Sequence, residues 1–271
     1  MSLEKLIVIS SEDKDNTSNS NSDFVVSLKE SYYTQNIERI MVKDIIVPNV
    51  FPNIRGESYV SSQNNIFRFQ DGLGNLSPEV VIPEGQYVIS TLGVPPPNDL
   101  ITTLETIYNT TIALPGETVS ITLDPITNKL NFTFAGGITG YNFADTSVSP
   151  LNDVLGIVGP TTASLNFDAQ SIPDLGGYPM VYVHSKKLAE SNGIDGDFGL
   201  ISLAEAVSLV DAPYGSYAYR QNNDDELSSI IYDNPRNLNR IQITLRDNKG
   251  NKLDIGTHKM TIVFKAILSS G

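Results

Sequence analysis

Hydrophobic and polar positions alternate with a period near two along most of this chain, which is the pattern of β-strands. The strongest such segment is Asn36 to Ile54, NIERIMVKDIIVPNVFPNI, whose apolar residues are mostly β-branched and too continuous for an exposed edge strand. Pro48 and Pro52 then remove backbone donors and fix φ, which ends the pairing. The segment therefore predicts a strand over Arg39 to Val47 in the centre of a sheet, followed by a corner.

Shorter segments with the same pattern lie before and after this strand. Further strands are predicted at Lys5 to Ser10, Phe24 to Leu28, Asn65 to Gln70, Tyr178 to Ser185, Leu238 to Leu245 and Met260 to Leu268. In the NIFRFQ segment, Phe67 and Phe69 share one side, so the other side faces water. We expect the last two strands to pair with each other, because the connection between them carries the turn residues Asn248 and Gly250.

One segment, Leu200 to Val210, has apolar spacing that fits either a helix or a strand, and we interpret it as mainly extended. Pro213 and Gly215 follow and predict a turn. A strand after this turn places Tyr217 and Tyr219 on one side.

The pattern changes between Pro78 and Pro160. Asn98 or Asp99 can cap a helix whose apolar face comprises Leu100, Ile101, Leu104, Ile107 and Tyr108. Two alternating segments, Val119 to Leu123 and Leu130 to Phe134, flank turn residues and predict a hairpin. A second short helix is predicted with Ser149 as its cap and Gly156 or Gly159 at its end. We therefore predict a small α+β unit over residues 78–160.

Charge and cysteine content narrow the function classes. The 271 residues include 31 acidic and 18 basic ones, a net charge of −13, which is unfavourable for binding nucleic acid. The chain has no cysteine, which fits a reducing compartment. It shows neither an apolar run of the ~20 residues that span a bilayer nor a signal segment. We expect a soluble protein without a nucleic-acid or membrane partner.

No set of residues predicts catalysis, a cofactor site or a metal site. The two histidines, His184 and His258, are far apart in sequence, and the chain contains neither a nucleophile elbow nor a phosphate-binding loop. The acidic groups Asp195 with Asp197, and Asp224 to Glu226, lack the spacing of a twelve-residue calcium loop and are interpreted as solvated loops. We expect no enzyme.

Four tyrosines have two interpretations. They are Tyr214, Tyr217, Tyr219 and Tyr232. In one interpretation they line an interface, where aromatic rings are favoured, and in the other they belong to the core and the ordinary strand surface. The sequence leaves both open.

Several segments together resemble a family of viral proteins. They are the opening strand that runs into ISSEDKD, SDFVVSL from Ser22, the IIVPNVFPNI corner followed by NNIFRF, DAPYGSYAYR, and the C-terminal NLNRIQITLRDNKGNKLDIGTHKMTIVFKAIL. With these segments the chain resembles the vertex (penton) and minor capsid jelly-roll proteins of virophages, polinton-like viruses and their giant-virus relatives. The IPEGQYVISTL segment also resembles a module of other giant-virus structural proteins.

This resemblance implies a fold. The expected architecture is mainly β: a single jelly-roll β-sandwich, formed by residues 1–77 and 161–271, that is interrupted by a small α+β insertion domain at 78–160. The chain is too short for the double jelly roll of a major capsid subunit, and vertex proteins similarly carry an insertion on a single roll.

The resemblance also implies a function. It implies a penton protein that forms a homopentamer at the five-fold vertices of an icosahedral capsid, is made in the host cytoplasm and is located in the virion. Its neighbours would be major capsid proteins, and its insertion would meet a host surface receptor. The alternatives are another minor capsid protein, or a host-surface or glycan-binding module carried on a jelly roll.

Overall fold

The computed structural model describes residues 3–16, 20–28, 34–57, 63–71, 75–90, 95–112, 117–136, 141–159, 164–185, 188, 203–222 and 229–269. Strands dominate these residues. No helix within these ranges is long and apolar enough to cross a membrane.

The elements of the described residues are numbered in chain order. The strands are β1 (Leu3–Ser10), β2 (Asp23–Ser27), β3 (Thr34–Pro48), β4 (Ile66–Phe67), β5 (Phe69–Asp71), β6 (Val80–Val81), β7 (Thr118–Leu123), β8 (Leu130–Ala135), β9 (Tyr141–Phe143), β10 (Asn166–Asp168), β11 (Met180–His184), β12 (Leu203–Ser208), β13 (Tyr217–Gln221), β14 (Ser229–Leu238), β15 (Arg240–Arg246) and β16 (Thr261–Leu268). The α-helices are α1 (Leu100–Ile107) and α2 (Leu151–Leu155).

The chain divides into two compact units. The first, which we call the roll unit, comprises Met1–Phe51 and Tyr178–Gly271, and the second, the inserted unit, comprises Pro52–Gly177. The chain leaves the roll unit after Phe51 and returns at Tyr178. The rings of these two residues pack edge to face with their centres 5.6 Å apart, so the two ends of the gap in the roll unit are adjacent.

The roll unit is built from two antiparallel sheets. The first has the order β1-β16-β3-β13, with β14 also paired to β3, and the second has the order β12-β11-β15-β2. The chain passes repeatedly from one sheet to the other, and this strand order is that of a jelly roll. The predicted fold class is therefore confirmed: the protein is mainly β, with one jelly roll interrupted by an inserted segment.

Strand β3 occupies the centre of the first sheet, as its apolar sequence predicts. It pairs with β16 on one side, and on the other side with β14 near its start and β13 near its end. Ile40, Ile45 and Val47 are fully buried. They face Phe24, Ile243 and other apolar side chains of the second sheet, which form the core of the roll unit.

The predicted pairing of the last two long strands is wrong. β15 pairs with β2 and β11 in the second sheet, whereas β16 pairs with β1 and β3 in the first. The connection between them turns at Asp247, whose carboxylate accepts hydrogen bonds from the backbone N–H groups of Lys249 and Asn251. It then buries Leu253 and Ile255, so the chain crosses to the opposite sheet instead of returning beside β15.

The inserted unit has its own core. Aromatic side chains dominate it, and the ring centres of Phe67 and Phe69 lie 4.6 Å apart, while those of Phe132 and Phe143 lie 4.9 Å apart. A three-stranded sheet with the order β10-β8-β7 and the two-stranded pairs β4-β6 and β5-β9 surround this core.

The boundaries of the inserted unit differ from those predicted. The sequence places them at 78 and 160, but the unit spans 52–177, because β4 pairs with β6 and β5 pairs with β9. The NIFRFQ segment is therefore a strand of the inserted unit and not of the roll. Hydrogen bonds of Asn53 stabilise the start of the unit. Its buried side-chain amide donates to the C=O groups of Tyr87 and Leu175 and accepts from the backbone N–H of Tyr87.

Local elements inside the inserted unit follow the sequence closely. α1 begins at the predicted cap, since the Asp99 carboxylate accepts from the backbone N–H of Thr102 at 2.8 Å. The hairpin β7–β8 is also confirmed. For α2 the capping position is Pro150 and not Ser149, because the Ser149 hydroxyl instead donates to the side chain of Asn152 and accepts from the N–H of Arg68. α2 ends at Gly156 in the left-handed region, as predicted, and a Cβ there would lie 2.2 Å from the carbonyl oxygen of Ser171.

Candidate assembly surface

The solvent side of the first sheet exposes large apolar and aromatic side chains. Along β1, Ile7 and Ile9 point into the core, and the alternate residues Leu6 and Val8 point outward. We call the outward group the outer face; its members, all 38–63% exposed, are Leu6, Val8, Ile46, Tyr217, Tyr219 and Ile231. Scattered exposed apolar residues are normal on a protein surface, but a contiguous group on one sheet is typical of an interaction site.

The strand register makes the outer face contiguous. Val8 lies opposite Val263 of β16, and Ile46 of β3 lies between Thr261 and Tyr219. Ile231 lies opposite Arg39 of β3 at the other end of the face. Opposite side chains in antiparallel strands are about 5 Å apart, so these residues form a patch across β1, β16 and β3 and, beside β3, both β13 and β14.

Tyr219 is held in a fixed orientation on this patch. Its hydroxyl donates to Oδ1 of Asp44 at 2.8 Å. The hydrogen bond to Asp44 raises the pKa of Tyr219, with burial and the negative charge of Asp44 adding to it, so the phenol stays protonated at neutral pH. An aromatic ring that is already ordered loses little entropy when a partner packs on it.

A groove lies beside the two tyrosines of the outer face. Its volume is about 410 Å³, and it is lined by Ser208, Asp211, Ala212, Tyr217, Ala218, Tyr219, Arg220 and Gln221. Arg220 Nε lies 3.6 Å from Glu205 Oε1 next to it. The groove can accept a polar or charged side chain from a partner that covers the tyrosines.

The first sheet also ends in an uncovered strand. In the described residues β1 pairs with β16 alone, over all eight residues and without a bulge. Edge strands of natural proteins are usually interrupted by prolines or bulges or covered by other elements, because an open edge can pair with another chain. The outer face therefore continues into an edge that can accept further contacts.

The second sheet presents a different outer surface. Its outward side chains are mainly polar and bind one another: Thr244 donates to Asp23 at 3.0 Å, and Arg240 pairs with Asp15 at 3.0 Å. Lys252 also pairs with Asp23. Burial disfavours the charge of Asp23, but the hydrogen bonds from Lys252 and Thr244 outweigh it and lower the pKa of this carboxyl. The cations of this face are Arg240, Arg246 and Lys252.

The predicted tyrosines separate into two groups. Tyr214, Tyr217 and Tyr219 are about half exposed, which fits the interface interpretation. Tyr232 is a core residue, and burial raises its pKa to about 12 although the neighbouring charge of Arg236 acts in the opposite direction.

The remaining candidates for chemistry lie apart or outside the described residues. His184 is buried in β11, and burial followed by the charge of Arg246 lowers its pKa, whereas His258 is exposed in the connection before β16. Within the described ranges no three His, Asp or Glu side chains could hold a metal ion together. The acidic groups at Asp195, Asp197 and Asp224 to Glu226, and the basic pair Lys186 and Lys187, lie outside the described residues.

Sequence reasoning missed the aliphatic part of the outer face. Leu6, Val8 and Ile46 belong to segments that are apolar on both sides, which we interpreted as buried strands. Ile231 lies in a segment for which no strand is predicted from the sequence. The continuous apolar run was itself the signal, because a strand that is apolar on both sides needs cover on both.

The inserted unit covers its comparable edge. The backbone N–H and C=O of Val119 in β7 bind the side-chain amide of Asn109, and the N–H of Ile121 donates to the carboxylate of Glu105. The solvent side of its three-stranded sheet carries only small residues, namely Thr118, Ser120, Thr122, Asn131, Thr133, Ala135, Asn166 and Asp168.

Comparison with solved structures finds 22 chains that are similar to this one. The chain is similar to the crystal structure of the selenomethionine-labelled mavirus penton protein, with 9% sequence identity and a TM-score of 0.49 over 97% of this chain and 99% of that one. No protein-family model matches the chain, and no curated protein matches its sequence.

Proposed function

We propose that this chain is a structural virion protein, a penton (vertex) protein whose five copies form the ring at the five-fold vertex of an icosahedral capsid. The observation that carries the proposal is the strand order of a single jelly roll with one compact unit inserted between β3 and β11. The segments that resemble vertex and minor capsid proteins lie in both units and support it. The apolar outer face supplies a surface of the kind that oligomers bury.

In this proposal the partners divide between the two units. The roll unit contacts neighbouring copies and the major capsid protein, and the inserted unit meets a host surface receptor. The protein is made in the host cytoplasm, which suits a chain without cysteine, and is located in the capsid.

The test is the mass of the purified full-length chain in solution, by native mass spectrometry and light scattering. We expect a particle of five times the chain mass of 29.5 kDa. A stable trimer would contradict the penton and favour another minor capsid protein. A chain that stays monomeric at every concentration would contradict a pentamer that forms without other capsid proteins.

A separate experiment tests the receptor part of the proposal. Fluorescently labelled full-length protein should bind host cells, and an excess of unlabelled inserted unit, provided that it is folded by circular dichroism, should compete. If the roll unit alone competed for host cells, this would contradict the proposal that the inserted unit binds the receptor.

A further inference from the structure

The outer face has no cover in the described residues, although its side chains are as apolar as those of an interface. We infer that the outer face of one copy packs against the outer surface of the second sheet in a neighbouring copy, so that the roll units join head to tail. This inference rests on the proposed ring and assigns the two surfaces that form each contact.

The size of the outer face fits such a contact. With strands ~4.8 Å apart and ~3.3 Å per residue, four strands of eight residues cover roughly 500 Å² as a flat area. Each partner in a standard stable interface buries about 800 Å², so this face with the adjoining edge and groove has the required order of size. All six members of the outer face are apolar or aromatic, and aromatic side chains are enriched at the centres of such interfaces.

The charge distribution favours a neighbouring copy in this orientation. Two chains that each carry −13 repel at long range, so their contact needs local cations on one side. The outer surface of the second sheet provides Arg240 and Lys252, which pair with Asp15 and Asp23 of the same copy and keep 45% and 58% of their side chains exposed, together with Arg246. The outer face and its neighbour Asp44 provide groups that attract cations, namely the rings of Tyr217 and Tyr219 and the carboxylate of Asp44.

The contact chemistry follows from these groups. A guanidinium over a tyrosine ring is attracted to its π-electrons, and Arg and Tyr are enriched in the centres of interfaces. Because Asp44 fixes Tyr219 before binding, the ring is presented in one orientation. The groove of about 410 Å³ beside it offers Asp211 and Gln221 to a long side chain.

The geometry of the roll unit fits a ring. The two surfaces lie on opposite sheets of one sandwich, so each copy can use one surface toward each neighbour. A contact between two different surfaces is heterologous. It closes into a ring when a whole number of rotations from one copy to the next completes a full turn. A contact of the outer face with itself would instead give a two-fold dimer.

The absence of cysteine from the 271 residues makes single-cysteine labelling decisive. The variants are Val8→Cys and Ile231→Cys on the outer face, Gln242→Cys on the second sheet, and the control Val210→Cys in the exposed turn after β12. Maleimide labelling rates are measured on full-length protein as an oligomer and after dilution to single chains. We expect labelling at the first three positions to be at least tenfold slower in the oligomer, and labelling at Val210→Cys to be unchanged.

Mixing experiments then test which surfaces meet. Oxidation of a mixture of Val8→Cys and Gln242→Cys proteins should give a disulfide between the two variants. A disulfide between two Val8→Cys chains would overturn the head-to-tail contact, because it requires two outer faces to meet.

A charge variant provides an independent measurement. Leu6→Lys should convert the oligomer into single chains that melt at the temperature of the diluted, monomeric wild type, whereas the matched control Val210→Lys should keep the oligomer. Five-subunit particles whose cysteines on both surfaces react as fast as Val210→Cys would overturn this inference and leave the proposed pentamer intact. A wild-type chain that is monomeric at every concentration would contradict a pentamer that forms without other capsid proteins, and with it this inference for the isolated chain.

Discussion

The sheets of the inserted unit and of the roll unit differ in how their edges are covered and in which side chains they expose to solvent. The inserted unit covers the edge of β7 with the side chains of Asn109 and Glu105 and exposes small polar residues on its three-stranded sheet. Among its described residues the roll unit pairs β1 with β16 alone, and it exposes Leu6 and Val8 of β1. The first arrangement prevents strand addition, and the second permits contact along both the edge and the face. The difference supports the proposal that the roll unit carries the assembly contacts.

The largest expected effect comes from removing one of the two units. Replacing residues 52–177 by a short Gly/Ser linker should leave a soluble roll unit, because Phe51 and Tyr178 are in contact and a short connection can join them. Replacing 77–161 instead, as the sequence boundaries suggest, removes β6 and β9 and leaves Phe67 and Phe69 without their core. We expect the first variant to melt cooperatively and the second to aggregate, as measured by size exclusion and circular dichroism. Aggregation of both would show that the roll unit needs the inserted unit for its stability.

A pair of neighbouring substitutions separates folding from assembly. Ile45 is fully buried and Ile46 points outward on the outer face. Ile45→Asp should lower the free energy of unfolding by about 4 kcal/mol, because it places an unpaired charge in the core. Ile46→Asp should change it by less than about 0.5 kcal/mol but reduce the oligomer mass. Denaturant melts and light scattering measure the two effects, and equal stability of both variants would contradict the central position of β3.

A third substitution uncovers the edge in the inserted unit. Asn109→Ala removes both hydrogen bonds to Val119 and should cost about 1 kcal/mol. It should also make self-association depend on concentration, because β7 then has an open edge. The control is Asn166→Ala, an exposed residue of β10. If the two variants show the same melting temperature and light scattering, the Asn109 side chain does not protect the edge.

The smallest predicted effect concerns pH and belongs to the roll unit. Because the pKa of His184 is lowered in the folded state, the unfolded chain binds a proton there first as the pH falls below the ordinary histidine pKa of about 6.5. The folded state is therefore fully favoured above this pH and loses stability below it, with a slope of at most ~1.4 kcal/mol per pH unit. Urea melts between pH 7.5 and 5 should show a shallower dependence for His184→Gln, and His258→Gln should behave as the wild type. An unchanged slope for His184→Gln would assign the pH dependence to other groups.

Local elements could be predicted because their signals lie within a few residues. Asp99 caps α1, the DPITNK turn closes the β7–β8 hairpin, and Gly156 ends α2, each through short-range sterics or hydrogen bonds. The choice of pairing partner was harder, because alternation shows which side of a strand is buried but not which strand lies beside it. This is why β15 and β16 were paired with each other and why β4 and β5 were placed in the roll.

The candidate surface was predicted only in part, for a related reason. Tyr217 and Tyr219 were identified because aromatic residues that alternate in a strand share one face. Leu6 and Val8 were not, because an apolar run such as KLIVIS predicts burial, and a single chain does not show whether its own residues or a neighbour supply the cover.

The register of the first sheet has a consequence for synthesis. β1 pairs with β16 from Leu3↔Leu268 to Ser10↔Thr261, so the strand made first waits for the strand made last. At ribosomal rates of ~5–20 residues per second, β3 remains without β16 for roughly 10–40 s after it is made. The inserted unit finds all its partners within 52–177 and can fold during this interval. The apolar strands of the roll unit meanwhile lack their partners and expose surface that favours aggregation, and a chain released before residue 261 cannot complete the first sheet.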